Sequence, residues 1–278
     1  MQYFIWDVNP VLLQLGPLTI HWYGALFAAA IFAGLQVVTW IYKNENKATE
    51  PLDVLLMYVV VGIIVGARLG HCFFYDPSYY LANPMKIFAI WEGGLASHGG
   101  GLGVIIAVSL YVKRHTVDLL WLLDRLAIGT AIFGVFVRSA NFVNSEIIGK
   151  QTDVAWAIIF KAVDNVPRHP AQLYEAFAYL AIFLVLMALY KRKAAQTPKG
   201  LILGVFLLLT FTARFLIEMV KTKQAAYDAG TLLNTGQLLS IPFFIAGIAL
   251  VAYAIKKPSF PALEHSKASQ SKTQKGRK

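Results

Sequence analysis

The sequence predicts an all-α integral membrane protein, with about seven transmembrane helices and a small extracytoplasmic cap. Three observations lead there. Of its 278 residues, 57% are hydrophobic and only 14% charged, and the mean hydropathy is +0.57. Apolar runs of about 20 residues recur along the chain, which is the length a helix needs to cross a bilayer. Within each run the apolar residues are continuous and do not alternate, so spanning helices are expected in preference to a barrel.

The runs cover residues 20–42, 52–75, 95–112, 119–137, 173–190, 201–218 and 238–255. Residues 1–255 therefore read as one polytopic membrane domain. Residues 256–278 read as a basic cytoplasmic tail, expected to be disordered. The first run is not a signal peptide, because residues 1–16 contain no Lys or Arg to form a basic leading region. Basic residues favour the inner side of a membrane. With the N-terminus outside, Lys43, Lys47, Lys113, Arg114, Lys191, Arg192, Lys193, Lys199 and the tail place fifteen of the twenty-five basic residues inside and seven outside. An N-out, C-in orientation follows.

The net charge of +10 owes much to that tail, which holds seven Lys and Arg residues against the single acid Glu264. Its reading is a solvated anchor on anionic membrane lipids. Nucleic acid is not expected as a partner, since no aromatic platform accompanies the charge. The single cysteine, Cys72, excludes an internal disulfide; among His71, Phe73 and Phe74 it is read as a packing residue.

The first span opens with His21-Trp22-Tyr23-Gly24, where Trp and Tyr suit a membrane interface and Tyr23 is also open to a ligand role. The second carries Gly62-x-x-x-Gly66-x-x-x-Gly70, a ridge of small residues that lets another helix approach. Arg68 on that span needs a cavity or a partner, because a mid-bilayer charge costs ~2.5–3.5 kcal/mol on insertion scales. Residues 76–94 read as an outer interfacial or re-entrant segment.

The third span opens at Gly93-Gly94-Leu95-Ala96-Ser97-His98-Gly99-Gly100-Gly101-Leu102-Gly103. Glycines this dense are expected to expose backbone N–H groups to a ligand, with His98 among them as a base, a donor or a structural residue. Arg125, near the inner half of the fourth span, is expected to tolerate lysine with little effect.

The stretch after the fourth span is the most informative. Arg138, Asn141, Asn144 and Glu146 arrive where a spanning helix should be ending. If the helix continues, Arg138 and Asn141 share one face, with Ser145 a turn further on. A guanidinium fork, an amide and a hydroxyl are the groups that bind a phosphate ester. The alternative is a polar helix end with Arg138 reaching to water. Residues 154–160 are expected to add short strands or a cap. Pro167 and Pro170 fix the entry to the fifth span, where Gln172 and Glu175 share a face. On the sixth span Arg214 and Glu218 are four residues apart, the spacing of a local ion pair.

Four blocks in order resemble the prolipoprotein diacylglyceryl transferase family: Gly93-Gly94-Leu95-x-x-His98-Gly99-Gly100, Arg138-x-x-Asn141-Phe142-x-Asn144-x-Glu146-x-x-Gly149, Arg168-His169-Pro170-x-Gln172-x-Tyr174-Glu175 and Arg214-Phe215-x-x-Glu218. Two positions depart from the family pattern: Val137 stands where glycine is usual and Gly101 where leucine is usual. Both are backbone or packing positions.

The resemblance implies a bacterial inner-membrane enzyme. Its partners would be phosphatidylglycerol and the signal peptide of a prolipoprotein, whose lipobox cysteine accepts the diacylglyceryl group as glycerol 1-phosphate departs. It implies His98, Arg138 and Arg214 as catalytic residues. Arginines suit a departing phosphate, which they can hold bidentately. His98 is read as the base for a thiol that is only a few per cent ionised at neutral pH, or as a headgroup ligand. Tyr23, Asn141, Asn144, Glu146, Gly149, Gln172 and Glu218 complete the expected substrate-binding set, with Glu146 and Glu218 positioning the arginines.

No cofactor is expected, and no His, Cys or carboxylate spacing suggests a metal. A lipid transporter would also place arginines in spans, but would release its lipid intact. An intramembrane peptidase would need a Ser–Lys or paired-aspartate frame, and none is found.

Overall fold

The computed structural model describes residues 3–16, 18–222 and 233–256, the Ser97 side chain excepted. The basic tail beyond Lys256 lies outside the described residues. The chain starts with strand β1 (Phe4–Trp6) and a hairpin of β2 (Val11–Leu15) and β3 (Leu18–His21), whose end feeds into α1 (Trp22–Asn44). Helix α2 (Pro51–Phe74) follows, then the short α3 (Pro77–Ala82), α4 (Ser97–His115) and α5 (Leu119–Val143). Strands β4 (Ile158–Phe160) and β5 (Pro167–Arg168) precede α6 (Ala171–Lys193), α7 (Leu201–Ile217) and α8 (Thr235–Lys256).

Six of these helices, α1, α2, α5, α6, α7 and α8, are long and apolar enough to cross a membrane. The expected third span became α4, which is 19 residues long. Its first turn is spent on His98 and glycines and its last on Lys113, Arg114 and His115, which shortens the apolar stretch between.

Two packing units share the bundle. In one, α1 lies on α5, which continues through α6 and α7 to α8. In the other, α2 lies on α4 and touches α1 only lightly. The α2–α4 seam is glycine on glycine: a Cβ added at Gly62 would lie 2.7 Å from the Gly103 carbonyl oxygen, and Gly66 and Gly70 face Gly99 as closely. Gly99 and Gly103 are therefore a packing ridge that answers the ridge on α2, and not a ligand-exposing run as expected. Within α4, Gly101 faces open space. The two units are joined by a buried cluster from four helices, including Val38, Tyr42, Leu52, Leu55, Tyr111 and Trp121.

Arg68 is 3% exposed and satisfies its guanidinium on backbone carbonyls of the segment after α3. It donates to Lys86 O at 2.5 Å, Ile87 O at 2.9 Å and Gly94 O at 3.3 Å, and also to Gly93 O. Its charge thus organises the loop that leads to His98. Cys72 is fully buried and free.

Arg125 departs from expectation. It is fully buried, with Nη2 2.6 Å and Nε 3.0 Å from Glu45 Oε1, while the Trp121 indole donates to Glu45 Oε2 at 2.9 Å. Its neighbour Asp124 accepts the Gly200 and Leu203 amides at 2.7 and 2.8 Å, capping α7 from another helix. Lysine cannot reproduce a two-nitrogen contact to one carboxylate in this space. Removing one partner of a buried pair leaves an uncompensated charge, typically ~3–5 kcal/mol. Glu45→Gln is therefore expected to lower the melting temperature of the purified protein markedly. An unchanged melting curve would refute this.

Candidate active site

The site is built where α5, α6 and α7 end or begin together near the start of α1. The apolar run that forms α5 ends at Val137, yet the helix continues to Val143. It can do so because its polar residues find partners on the next helix. Arg138 Nε lies 3.1 Å from Glu175 Oε2, and Arg138 Nη1 donates to Asn141 Oδ1 at 3.2 Å. Neither side chain is free in solvent: Asn141 and Glu175 are each 4% exposed. The expected shared face of Arg138 and Asn141 is formed, but Ser145 has left the helix and sits at φ +57°.

Glu175 is the centre of the cluster. Its other oxygen accepts from Lys221 Nζ at 2.7 Å, and Lys221, 5% exposed, also lies 3.4 Å from Glu218 Oε2. A carboxylate shared by the buried Lys221 and the partly exposed Arg138 fixes where the arginine points. Glu218 thus pairs with Lys221 and not with Arg214. Among the described residues Arg214 has no ion pair. It lines a small crevice with Glu175 and Tyr179, and the Tyr179 hydroxyl lies in the field of both arginines.

The turn after α5 is strained and strongly braced. Ser145 and the β-branched Ile147 both take positive φ, +57° and +54°, which non-glycine residues adopt at a cost of ~1–3 kcal/mol. Four contacts hold it. Glu146 N donates to Asn141 O at 2.9 Å, Gln172 Nε2 to Glu146 O at 2.5 Å, Gly149 N to His169 O at 3.0 Å, and Thr222 Oγ1 to Ile148 O at 2.8 Å. The result presents the Glu146 carboxylate, which accepts from Asn141 at 3.2 Å and Asn144 at 3.3 Å. Glu146 reaches Arg138 only through Asn141.

Gly149 is buried against His169, and a Cβ added to it would collide with His169 and stand 3.0 Å from Val220 O. Its lack of a side chain serves chain packing beneath the turn. Gln172 is likewise a brace, fully buried on the Glu146 carbonyl. Tyr23, Asn144 and Glu146 line a shallow polar pocket with Thr19 and His21. Tyr23 also faces Asn141 and lies in the fields of Glu146 and Arg138.

His98 stands apart. It is exposed in the first turn of α4, on the other packing unit, and has no hydrogen-bond partner among the described residues.

A small sheet covers this end of α5. β1 pairs in parallel with β4, which pairs antiparallel with β5. Trp6 packs on Phe142 with its ring tilted by 45° at 4.4 Å between ring centres, and Phe142 meets Phe160 edge-on at 5.7 Å. Arg168 on β5 binds Asp164 at 2.6 Å and donates to Gly149 O at 3.3 Å. The hydrogen bond from Arg168 holds the Asp164 carboxyl below its ordinary range.

Sequence reasoning assigned no role to Lys221 or Tyr179, and gave Glu146 and Glu218 the part that Glu175 plays. A signal existed: Gln172, Glu175 and Tyr179 fall at i, i+3 and i+7, one face of a helix.

The prolipoprotein diacylglyceryl transferase family model matches residues 10–253. Proteins named phosphatidylglycerol–prolipoprotein diacylglyceryl transferase are similar along nearly their whole length. That of Tolumonas auensis is 53% identical over 254 residues, covering 91% of this chain and 98% of its own. Those of Chloroherpeton thalassium and Porphyromonas gingivalis are 46% and 47% identical, each covering 92% of this chain and 96% of its own. With a family model spanning most of its length and relatives this close, the chain belongs to the prolipoprotein diacylglyceryl transferase family.

Proposed function

We propose that this protein transfers the diacylglyceryl group of phosphatidylglycerol to the lipobox cysteine thiol of prolipoproteins, forming a thioether and releasing glycerol 1-phosphate, the first step of bacterial lipoprotein maturation. The observation that carries the reading is the pair of arginines at one end of the bundle. Arg138 is fixed by Glu175 and Asn141, and Arg214 lines a small crevice with that same Glu175, with no ion pair among the described residues.

In the proposed reaction the cysteine sulfur attacks the glycerol carbon that bears the phosphate. A C–S bond forms, the C–O bond to phosphate breaks, and its electron pair leaves with the phosphate. Arg138 and Arg214 hold that phosphate and stabilise the charge it gains in a site shielded from water. As it reaches Arg138, Glu175 gives up one contact and keeps the other on Lys221. The thiol proton passes to His98. Because His98 stands on the α2–α4 unit, the two substrates would meet between the units. Tyr23 and Asn144 would orient the lipid glycerol, with Glu146 holding the amides of Asn141 and Asn144.

The membrane placement belongs to the same proposal: a multi-pass protein of the bacterial inner membrane, with α4 as a seventh span, the site at the outer face and the small sheet over it as an extracytoplasmic cap. Incubating the purified protein with phosphatidylglycerol and a lipobox peptide should add one diacylglyceryl mass to the uncleaved peptide and release glycerol phosphate. Peptide cleavage, or lipid movement without phosphate release, would overturn the assignment. For orientation, a membrane-impermeant thiol reagent applied to intact spheroplasts should label Gln151→Cys and miss Ala195→Cys. The reverse pattern would invert the topology.

A further inference from the structure

At the end of the bundle remote from Arg138, a second concave site lies where α1, α4 and α7 meet the N-termini of α2 and α5. Its walls are aromatic: Tyr42, Tyr111 and Trp121 are each at most 5% exposed. Three basic side chains converge on it, Lys47, His115 and Lys199. Lys47 is half-buried with its ammonium 4.9 Å above the Trp121 ring, and it has no carboxylate partner among the described residues. His115 stacks on Tyr111 at 4.5 Å and has no hydrogen bond there. The only carboxylate lining the site among the described residues is Asp118. It is already held by Lys199 at 2.7 Å and by the Trp121 amide at 2.9 Å. Glu45, beneath the floor, is neutralised by Arg125. The pocket is therefore cationic, with an unpaired ammonium.

The same buried cluster that floors this pocket also floors an apolar groove. Tyr42, Tyr111 and Trp121 face the pocket, and Val38, Leu52 and Leu55 face the groove. The groove runs between α1, α2 and α5 from Leu52 to Ile63. At 1.5 Å per residue, that is about 16 Å of helix. The hydrocarbon core of a bilayer is about 30 Å thick, so the groove has the depth of one leaflet. The pocket and the groove are neighbours, reached from consecutive residues Pro51 and Leu52 on α2 and from Tyr42 and Val38 one turn apart on α1. A cationic pocket beside an apolar groove one leaflet deep matches an amphiphile with an anionic head.

We propose that this face holds an anionic phospholipid, its phosphate on Lys47 and Lys199 and one acyl chain in the α1–α2–α5 groove, as a second lipid site separate from Arg138. The lipid chain would lie along α1, α2 and α5 beside the buried cluster that joins the two packing units. The reading does not depend on the reaction proposed above.

Phosphatidylserine and phosphatidylcholine with identical acyl chains are suitable probes, since neither carries the glycerol headgroup of the proposed substrate. Each would be titrated onto the delipidated full-length protein in detergent, with bound lipid counted by native mass spectrometry. With Asp118 offsetting Lys199, the unpaired Lys47 ammonium should favour the anionic lipid about fivefold. Lys47→Gln with Lys199→Gln should reduce that preference below about twofold, while Lys47→Arg with Lys199→Arg retains it. Val60→Trp, which fills the groove, should remove binding of both lipids without touching the lysines. Equal affinity for the two lipids, or a preference that survives the double glutamine variant, would overturn the proposal. So would inorganic phosphate competing away the lipid at equal concentration, because the acyl chain would then contribute nothing.

Discussion

Replacing Arg138 by lysine should leave a stably inserted protein that transfers diacylglyceryl at least ~100-fold more slowly. The reason is shape. Arg138 uses Nε on Glu175 and Nη1 on Asn141 at once, so its guanidinium plane is set by two residues from two helices. Lysine supplies a single point of charge at the end of a flexible stem and cannot keep both contacts while meeting a phosphate. Losing one preorganised contact to a departing charge typically costs ~2.7–4 kcal/mol, or 10²–10³ in rate. The expected signature is a fall in kcat with the lipid KM changed less, measured by peptide mass shift. Arg114→Lys, on the exposed end of α4, is the control and should be nearly silent. Arg125, the obvious choice from sequence, cannot serve, because its burial on Glu45 makes lysine costly there for reasons unrelated to chemistry. Near-normal turnover by Arg138→Lys would reduce the residue to a helix-end anchor.

Gly103→Leu should have the largest effect on the fold. The Cα of Gly103 lies against the Gly62 backbone, so any side chain must push α2 and α4 apart along the whole ridge. Overpacking a well-packed core costs ~1–3 kcal/mol, and here the obstacle is a backbone carbonyl that cannot rotate away. A loss of at least ~3 kcal/mol in stability, read by thermal unfolding in detergent, is expected. Gly101→Leu is the informative comparison, because nothing lies within 4 Å of its Cβ position and leucine is the better helix former. It should leave stability unchanged or raise it. If both substitutions were tolerated, α2 and α4 would not be in close contact. If both abolished transfer without loss of stability, these glycines would instead be exposing backbone to a ligand.

The glycines illustrate what could be read in advance and what could not. The ridge Gly62, Gly66 and Gly70 was legible because its four-residue spacing makes one helix face. Its counterpart, Gly99 and Gly103, has the same spacing but sits beside Gly100 and Gly101, so composition alone suggested exposed backbone. Only the helix opposite decides which glycines are packed. The same holds for charge. Arg214 and Glu218 sit at the spacing of a local pair, yet Glu218 turns to Lys221. Arg138 finds Glu175, thirty-seven residues on, across the α5–α6 contact.

The sequence by itself determined the membrane class and most of the spans. A bilayer offers no water to backbone N–H and C=O groups, so each crossing must be one continuous apolar helix, and that leaves its mark in composition. It also marked the stretch from Arg138 to Gly149, since polar residues at the end of such a run must find either interfacial water or a partner. The tertiary structure alone decided who those partners are. It made Glu175 the shared counter-ion of Arg138 and Lys221, left Arg214 without an ion pair among the described residues, set His98 on a separate packing unit, and turned Gly149 and Gln172 into braces for a strained turn. Such choices depend on which helix ends are brought within about 4 Å of one another, a distance that spacing along a single helix does not encode.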